Sequence, residues 1–269
     1  MDQKLLLVGC GKMGGALLGG WLGRDVDAGA VTVIEPFETD ALREKLGVAV
    51  HQDISALDLG YQPDVVVFAV KPQAMAEIVP HYLRYVREGT VFLSIAAGRP
   101  IAFFEEHLGS EAAIIRSMPN TPASVGRGIT VACGNAHMSG DHKVVCHSLL
   151  EAVGEVAWVD DEALLDPVTA VSGSGPAYVF LLIETLAKAG VAAGLAPDLA
   201  DKLARATVTG SGELAHLSSD KAATLRENVT SPGGTTAAAL DVLMAADGLQ
   251  PLMIRAVEAA TNRSRELAK

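Results

Sequence analysis

The sequence predicts an α/β fold: an N-terminal Rossmann-type, doubly wound parallel sheet followed by an all-α C-terminal domain. Three observations carry this. Short continuous Val/Ile/Leu runs alternate with helical patterns over the first 160 residues, a glycine-rich G-x-G-x-x-G follows the first of these runs, and no convincing strand pattern appears after residue 160. Continuous apolar runs, instead of strict alternation, mark strands covered on both faces, as in a parallel sheet flanked by helices.

Taken in order, residues 4–8 read as a strand, 13–22 as a helix, 31–35 as a strand and 39–46 as a helix. Strands at 64–70 and 90–96 bracket a helix at 74–85, and 101–108 and 112–116 add a further helix and strand. Residues 128–134 and 156–159 read as later strands around a helix at 141–153. Beyond them each periodic segment is helical: 161–171, 176–193, 197–216, 222–227, 235–246 and 251–269. Pro176 at the start of the longest apolar helix and Gly194 just past its end follow the usual asymmetry of helix termini. The expected division is a domain at 1–160 and an all-helical one at 161–269.

Composition removes several function classes. The 269 residues carry 21 Lys+Arg against 32 Asp+Glu, a formal net charge of −11, the wrong sign for a protein that coats nucleic acid. Hydrophobic residues make up 49% and charged ones 20%, a globular balance with ample core material. Cys10, Cys133 and Cys146 are too few and too scattered for a disulfide framework, so a reducing, cytoplasmic setting is expected. Lys4 precedes an apolar run, but Gly9-Cys10-Gly11-Lys12 breaks it too soon for a signal peptide. No run of about 18 consecutive apolar residues is present, so no membrane span is expected. His137, His142 and His147 lie near Cys133, Asp141 and Cys146 without any common ligand spacing, so no metal is expected.

Gly9-Cys10-Gly11-Lys12-Met13-Gly14 sits between a predicted strand and a predicted helix, with Glu35 ending the next strand about 21 positions later. That context is what a dinucleotide fingerprint requires. Gly9 permits the tight turn, Gly11 lets backbone approach a pyrophosphate, and Gly14 allows close helix–strand packing. The helix N-terminus at Lys12 and Met13 then faces the phosphates. A carboxylate at Glu35 can accept from a ribose 2′-OH and repels a 2′-phosphate, which favours NADH or dual use, or it is a solvated strand-end charge that the loop turns away.

Four further segments bear chemistry. Ala69-Val70-Lys71-Pro72-Gln73 follows the strand at 64–70, at the carboxyl end of the sheet where ligands bind. Lys71 there can hydrogen-bond a cofactor ribose or steer an anionic substrate, or be a plain surface lysine. Ser117-Met118-Pro119-Asn120-Thr121-Pro122 is a rigid strand exit, and the Asn120 amide suits a nicotinamide, a substrate or a simple turn. Ser172-Gly173-Ser174-Gly175-Pro176-Ala177-Tyr178 opens the long helix with hydroxyls and close-approach glycines suited to an anion, or is a helix-to-helix turn capped by Ser174. Ser231-Pro232-Gly233-Gly234-Thr235-Thr236 puts several N–H groups and hydroxyls in a small arc before a helix, a nest for a carboxylate.

With the fingerprint, this ordered set resembles the pyrroline-5-carboxylate reductase family over the whole chain, and Ser-Pro-Gly-Gly-Thr-Thr followed by Ala-Ala-Ala-Leu-Asp is its most specific part. The resemblance implies NAD(P)H-dependent reduction of L-Δ1-pyrroline-5-carboxylate to L-proline, by hydride transfer to the imine carbon. It makes 1–160 the dinucleotide-binding domain and 161–269 the domain for substrate binding and dimerisation. It places Gly9, Gly11, Lys12, Met13, Gly14, Glu35, Ala69, Val70, Lys71, Pro72 and Asn120 on the cofactor. It places Ser172, Ser174, Gly175, Ser231, Gly233, Gly234, Thr235 and Thr236 on the substrate; Thr169, just before the Ser-Gly-Ser-Gly turn, offers a hydroxyl to the imine nitrogen, and Thr169 and Thr236 are the expected catalytic pair. It also implies a homodimer through the C-terminal helices, with a higher ring such as a decamer open. Val179, Phe180, Leu181, Leu182, Ile183 and Leu186 cover several faces of one helix, as expected of a helix surrounded by protein.

Two rivals remain at this level. A β-hydroxyacid dehydrogenase would share the layout, but it uses a lysine early on the first long helix of its second domain, and here the first lysine after Gly175 is Lys188. A dinucleotide-binding redox sensor would have no need of a second small-anion nest.

Overall fold

The computed structural model describes residues 3–24, 26–37 and 39–268. One eight-stranded sheet forms among them, from β1 (Leu5–Val8), β2 (Val31–Ile34), β3 (Ala49–His51), β4 (Val65–Phe68), β5 (Val91–Ser94), β6 (Ala113–Met118), β7 (Gly128–Gly134) and β8 (Gly154–Trp158). Their order is β3-β2-β1-β4-β5-β6-β7-β8. Strands β3 to β6 are mutually parallel, β7 runs antiparallel to β6, and β8 is parallel to β7.

Every residue of β1, β2, β4 and β5 is buried, as their unbroken apolar character requires. Alternation within a strand divides the core in two. Leu5 and Leu7 face a cluster with Leu17, Leu18 and Trp21 of α1 (Lys12–Leu22). Leu6 and Val8 face a second cluster with Met75 of α3 (Met75–Ile78) and Phe104 of α4 (Ile101–Leu108). Helix α2 (Thr39–Leu46) lies between β2 and β3 in the chain, and α5 (Gly140–Glu151) adds Cys146, Leu149 and Leu150 to the first cluster. Trp21 Nε1 donates to Leu149 O at 2.8 Å, which ties the far end of α1 to α5.

Three local expectations change. Strand β3 has three residues and one buried side chain, too brief to stand out as an apolar run. The helix expected at 74–85 is a 3-10 turn, the four-residue α3 and a further 3-10 stretch at Val79–Tyr85. Pro80 lies within it and has no N–H to give an α-helical ladder. The segment expected as helix at 161–171 is a 3-10 turn at Glu162–Leu164, α6 (Leu165–Val168) and a π-turn at Thr169–Gly173.

Helices α7 (Gly175–Ala192), α8 (Pro197–Leu217), α9 (Ala222–Asn228), α10 (Thr235–Leu243) and α11 (Leu249–Leu267) complete the chain, and no strand follows β8 among the described residues. Two compact units result. One comprises residues 1–173 with 260–269, the other residues 174–259. In the first unit the end of α11 is fixed by Ser264, whose buried hydroxyl donates to Asp166 Oδ1 at 2.7 Å.

In the second unit α7 and α8 pack together, with Gly190 against Ala200 and with Ala200 and Ala204 buried. No residue of α7 is buried; Phe180 is 60% exposed and Leu182 51%. The helical run Glu162–Ala192 has a mean hydropathy of 1.3 over an 18-residue window, long and apolar enough by length and composition to cross a membrane. A count of consecutive apolar residues misses it, because Asp166, Thr169, Ser172, Ser174, Glu184 and Lys188 interrupt the run.

Candidate active site

The loop after β1 is built by steric necessity. Gly9 has φ +90°, and a Cβ there would stand 2.7 Å from Val70 Cγ1 and 3.0 Å from the Ala69 backbone. At Gly14 a Cβ would come within 2.4 Å of Gly9 O. Gly11 differs: a Cβ there would meet nothing within 4 Å. Two of the glycines thus serve the packing of loop, α1 and β4, and the third keeps a space open above the backbone. Gly11 is the N-cap of α1, no side chain caps it, and the first turn holds no acidic residue. The first N–H groups of α1 have no intrahelical acceptor by construction, so that space is lined by donors at the positive end of a helix dipole.

The loop lies where β1 separates β2 on one side from β4 on the other, the switch point of a doubly wound sheet. Glu35, just past β2, folds back over it. Its Oε2 accepts from Cys10 N at 2.7 Å and its Oε1 from Phe37 N at 3.2 Å. These bonds fix the carboxylate direction and leave lone pairs on both oxygens. Burial, and next the charge of Glu35, push the Cys10 thiol up to about 11, so it stays protonated at neutral pH. Ala69 N donates to Val8 O at 2.8 Å, and exposed Lys71 starts the short turn Pro72–Ala74. The fold therefore gathers Gly9, Gly11, Lys12, Met13, Gly14, Glu35, Ala69, Val70, Lys71 and Pro72 at one end of three adjacent strands.

A second gathering lies at the exit of β6. Asn120 Oδ1 accepts from Ile129 N at 2.9 Å, and its Nδ2 donates to Ser172 O at 3.3 Å. The turn that follows, Thr121–Val125, buries Ala123 in the same cluster as Leu17 and Leu18 of α1. Thr169 and Ser172 both lie in the π-turn, a backbone form frequent at functional sites. Thr169 Oγ1 donates to Leu165 O at 2.7 Å and Ser172 Oγ to Val168 O at 3.0 Å. Each hydroxyl has given its hydrogen to the helix, so toward a ligand each presents an acceptor.

Ser174, Gly175 and the Ser231–Thr236 segment lie in the second unit. Gly233 has φ +71°, and Gly234 N donates to Ser231 O at 3.0 Å, closing a tight turn into α10. Gly234 is the N-cap without a side-chain cap, and the first turn of α10 has no acidic residue. A Cβ on Gly234 would stand 2.6 Å from Ser231 Oγ, so glycine is what lets this hydroxyl sit beside the helix start.

Sequence reasoning passed over Arg116. It lies in β6 with its side chain 7% exposed, and its Nη1 pairs with Glu162 Oε1 at 2.8 Å, an oxygen that also accepts from Ile101 N at 2.8 Å. The signal was present: a lone arginine in the apolar strand Ala113–Met118 has to find a partner. Among the described residues no group of three His, Cys, Asp or Glu side chains could hold a metal ion.

Known proteins resemble this chain from end to end. Residues 162–267 match the family model for pyrroline-5-carboxylate reductase dimerisation, and 4–98 the one for NADP oxidoreductase, coenzyme F420-dependent. The chain is 38% identical to a pyrroline-5-carboxylate reductase of Pseudomonas aeruginosa, over 99% of this chain and 97% of that one. It is 34% identical to that of Escherichia coli K12, over 100% of both. Among solved structures, a pyrroline-5-carboxylate reductase from Coxiella burnetii superposes with a TM-score of 0.94 at 35% identity, covering 100% of both chains. One from Plasmodium falciparum with NADP bound gives 0.82 at 31%, covering 100% of this chain and 99% of that one.

Proposed function

This chain belongs to the pyrroline-5-carboxylate reductase family, and from that premise we propose that it reduces L-Δ1-pyrroline-5-carboxylate to L-proline with NAD(P)H, the last step of proline biosynthesis. The observation that carries the reading is the open donor-lined space over Gly11, with the Glu35 carboxylate beside the same loop. Gly9 to Gly14 hold the pyrophosphate, Glu35 the adenosine ribose, and Ala69 to Pro72 with Asn120 the rest of the dinucleotide. When bound, the dinucleotide supplies a hydride.

The chain's own residues bind and orient the imine. Ser231, Gly233, Gly234, Thr235 and Thr236 take the substrate carboxylate through N–H groups and hydroxyls at the start of α10. Ser172, Ser174 and Gly175 complete the substrate contacts. Thr169, with its hydrogen committed to Leu165 O, accepts from the substrate nitrogen, which selects the protonated iminium. That form is the better hydride acceptor: the C=N π pair moves to nitrogen as the new C–H bond forms, and the product is a secondary amine. No strong general acid is needed, and rate comes from near-attack placement.

The helical domain at 161–269, with its exposed α7 surface, makes the homodimer, and a higher ring such as a decamer builds on it. The cytoplasm is its location under the same proposal.

Turnover of pyrroline-5-carboxylate by the purified protein tests the reading directly; bound dinucleotide without turnover overturns it in favour of another imine or a sensor. Replacing Thr236 by Ala is expected to raise the substrate KM about tenfold, with dinucleotide affinity unchanged. An unaltered substrate KM removes Thr236 from the site. Glu35 sets the cofactor preference toward NADH or dual use, so kcat/KM should be equal or higher with NADH than with NADPH. In Glu35→Gln that ratio is expected to fall by about tenfold, because a charged acceptor for the ribose diol is lost and the 2′-phosphate is no longer repelled. A wild-type enzyme many-fold more efficient with NADPH would refute the assignment.

A further inference from the structure

The carbonyl of Ser172 meets a difficulty set by the covalent chain. In an α-helical register it would accept from the residue four positions on, and that residue is Pro176, which has no N–H. Ala177, five positions on, donates instead to Ser174 O at 3.0 Å. Asn120 supplies a donor: its Nδ2 reaches Ser172 O at 3.3 Å while its Oδ1 is held by Ile129 N of β7 at 2.9 Å. Because the sheet fixes one end of this amide, it fixes the direction in which the other end donates. Met118 supports the same turn, since a Cβ on Gly173 would stand 2.5 Å from Met118 Cε. The turn is therefore seated on the carboxyl end of β6 by a side-chain amide and a close glycine contact.

The register of this turn matters because Thr169 and Ser172 bond to their own helix. Their hydroxyl hydrogens go to Leu165 O and Val168 O, so the direction of the remaining lone pairs follows the backbone. A helix turns by about 100° per residue, so converting the π-turn to an α-turn would redirect both oxygens.

We infer that Asn120 is a positioning residue: through the Ser172 carbonyl it holds the Thr169–Gly173 turn in its π-register, and so aims the Thr169 oxygen at the substrate nitrogen. This rests on the assignment of Thr169 to the substrate made above, and it gives Asn120 a task beyond contact with the dinucleotide.

The test uses the full-length enzyme. Asn120→Asp keeps an oxygen for Ile129 N but turns the donor toward Ser172 O into a second oxygen. The expected result is a fall in kcat of about tenfold or more and a larger isotope effect from cofactor deuterated at C4, as near-attack geometry is lost. kcat is read at saturating cofactor, and the dinucleotide Kd from fluorescence titration is measured alongside, so that any loss of the cofactor contact also assigned to Asn120 is separated from the loss of turnover. A kcat within about threefold of wild type overturns the inference. So does weakened dinucleotide binding with kcat intact at saturating cofactor, which would make Asn120 a cofactor contact alone.

The double variant Asn120→Asp/Pro176→Ala gives the Ser172 carbonyl a backbone donor at the α-helical position, and it carries the same readout should Asn120→Asp fail to fold. It is expected to restore the melting temperature and leave kcat low; recovery of kcat overturns the inference, because satisfying the carbonyl would then be all that Asn120 does. Thr169→Val, measured alongside, separates the two levels. Wild-type turnover in Thr169→Val refutes the role of Thr169 itself, whereas impaired Thr169→Val beside normal Asn120→Asp refutes only the role of Asn120.

Discussion

Gly11→Ala is expected to lose dinucleotide binding by about a hundredfold or more while remaining folded, because the added methyl takes up space that the fold leaves to a ligand. Gly11 has an unstrained φ of −69° and a Cβ there meets no protein atom within 4 Å. Exchanging Gly for Ala at this N-cap costs about 1 kcal/mol at most. Gly14→Ala behaves differently. Its Cβ would stand 2.4 Å from Gly9 O and 3.1 Å from Ala69 Cβ, and a backbone carbonyl cannot rotate away as a side chain can. The shift this forces costs about 1–3 kcal/mol, so the melting temperature falls together with affinity. Melting curves and NADH titrations on the two variants check the distinction. If Gly11→Ala binds like wild type, the pyrophosphate does not lie over this loop.

The same contrast shows why the fold was readable. Sheet, helices and glycine loop follow from short-range patterns: the buried runs of β1, β2, β4 and β5 are continuous in sequence, and each glycine role follows from where a strand ends and a helix begins. The pattern fails where an element is too short or its backbone unusual. Strand β3 has three residues, and the stretch around Pro80 keeps helical periodicity in its side chains while its backbone tightens to 3-10. The π-turn at Thr169–Gly173 carries no composition signal at all. It follows from Pro176 beyond the turn and from Asn120, 52 positions away from Ser172 in the chain.

For the site, the residue types were legible but their partners were not. Glu35 reads in the sequence as a candidate carboxylate for a ribose, yet nothing local to it says that Cys10 N holds one oxygen and Phe37 N the other. Asn120 reads as a free amide in sequence, and in the fold both ends of that amide are engaged. Hydrogen bonds between distant segments depend on which strand exits lie side by side, and that is a property of the sheet order.

Arg116→Met is the second large effect. Arg116 and Glu162 are joined at 2.8 Å with side chains 7% and 28% exposed, so removing the guanidinium leaves a poorly hydrated carboxylate. Breaking such a buried pair costs about 3–5 kcal/mol when both members are sealed, and the partial exposure of Glu162 brings this to about 2–3. For a chain of this size the melting temperature should fall by roughly 5–10 °C. Arg116→Met/Glu162→Gln distinguishes the source of that loss. The amide removes the stranded charge and still accepts from Ile101 N, the bond that Glu162 Oε1 makes at 2.8 Å. Most of the stability should therefore return in the double variant, since it was the uncompensated charge that was costly and not the absence of an attraction. Activity should recover less. Glu162 opens the helical run that ends in the Thr169–Gly173 turn, and the double variant lacks the ion pair that joins the start of that run to β6. A double variant that regains full turnover along with its melting temperature would show that the ion pair serves stability alone. One that regains only stability places Arg116, with Asn120, among the groups at the end of β6 that set where Thr169 points.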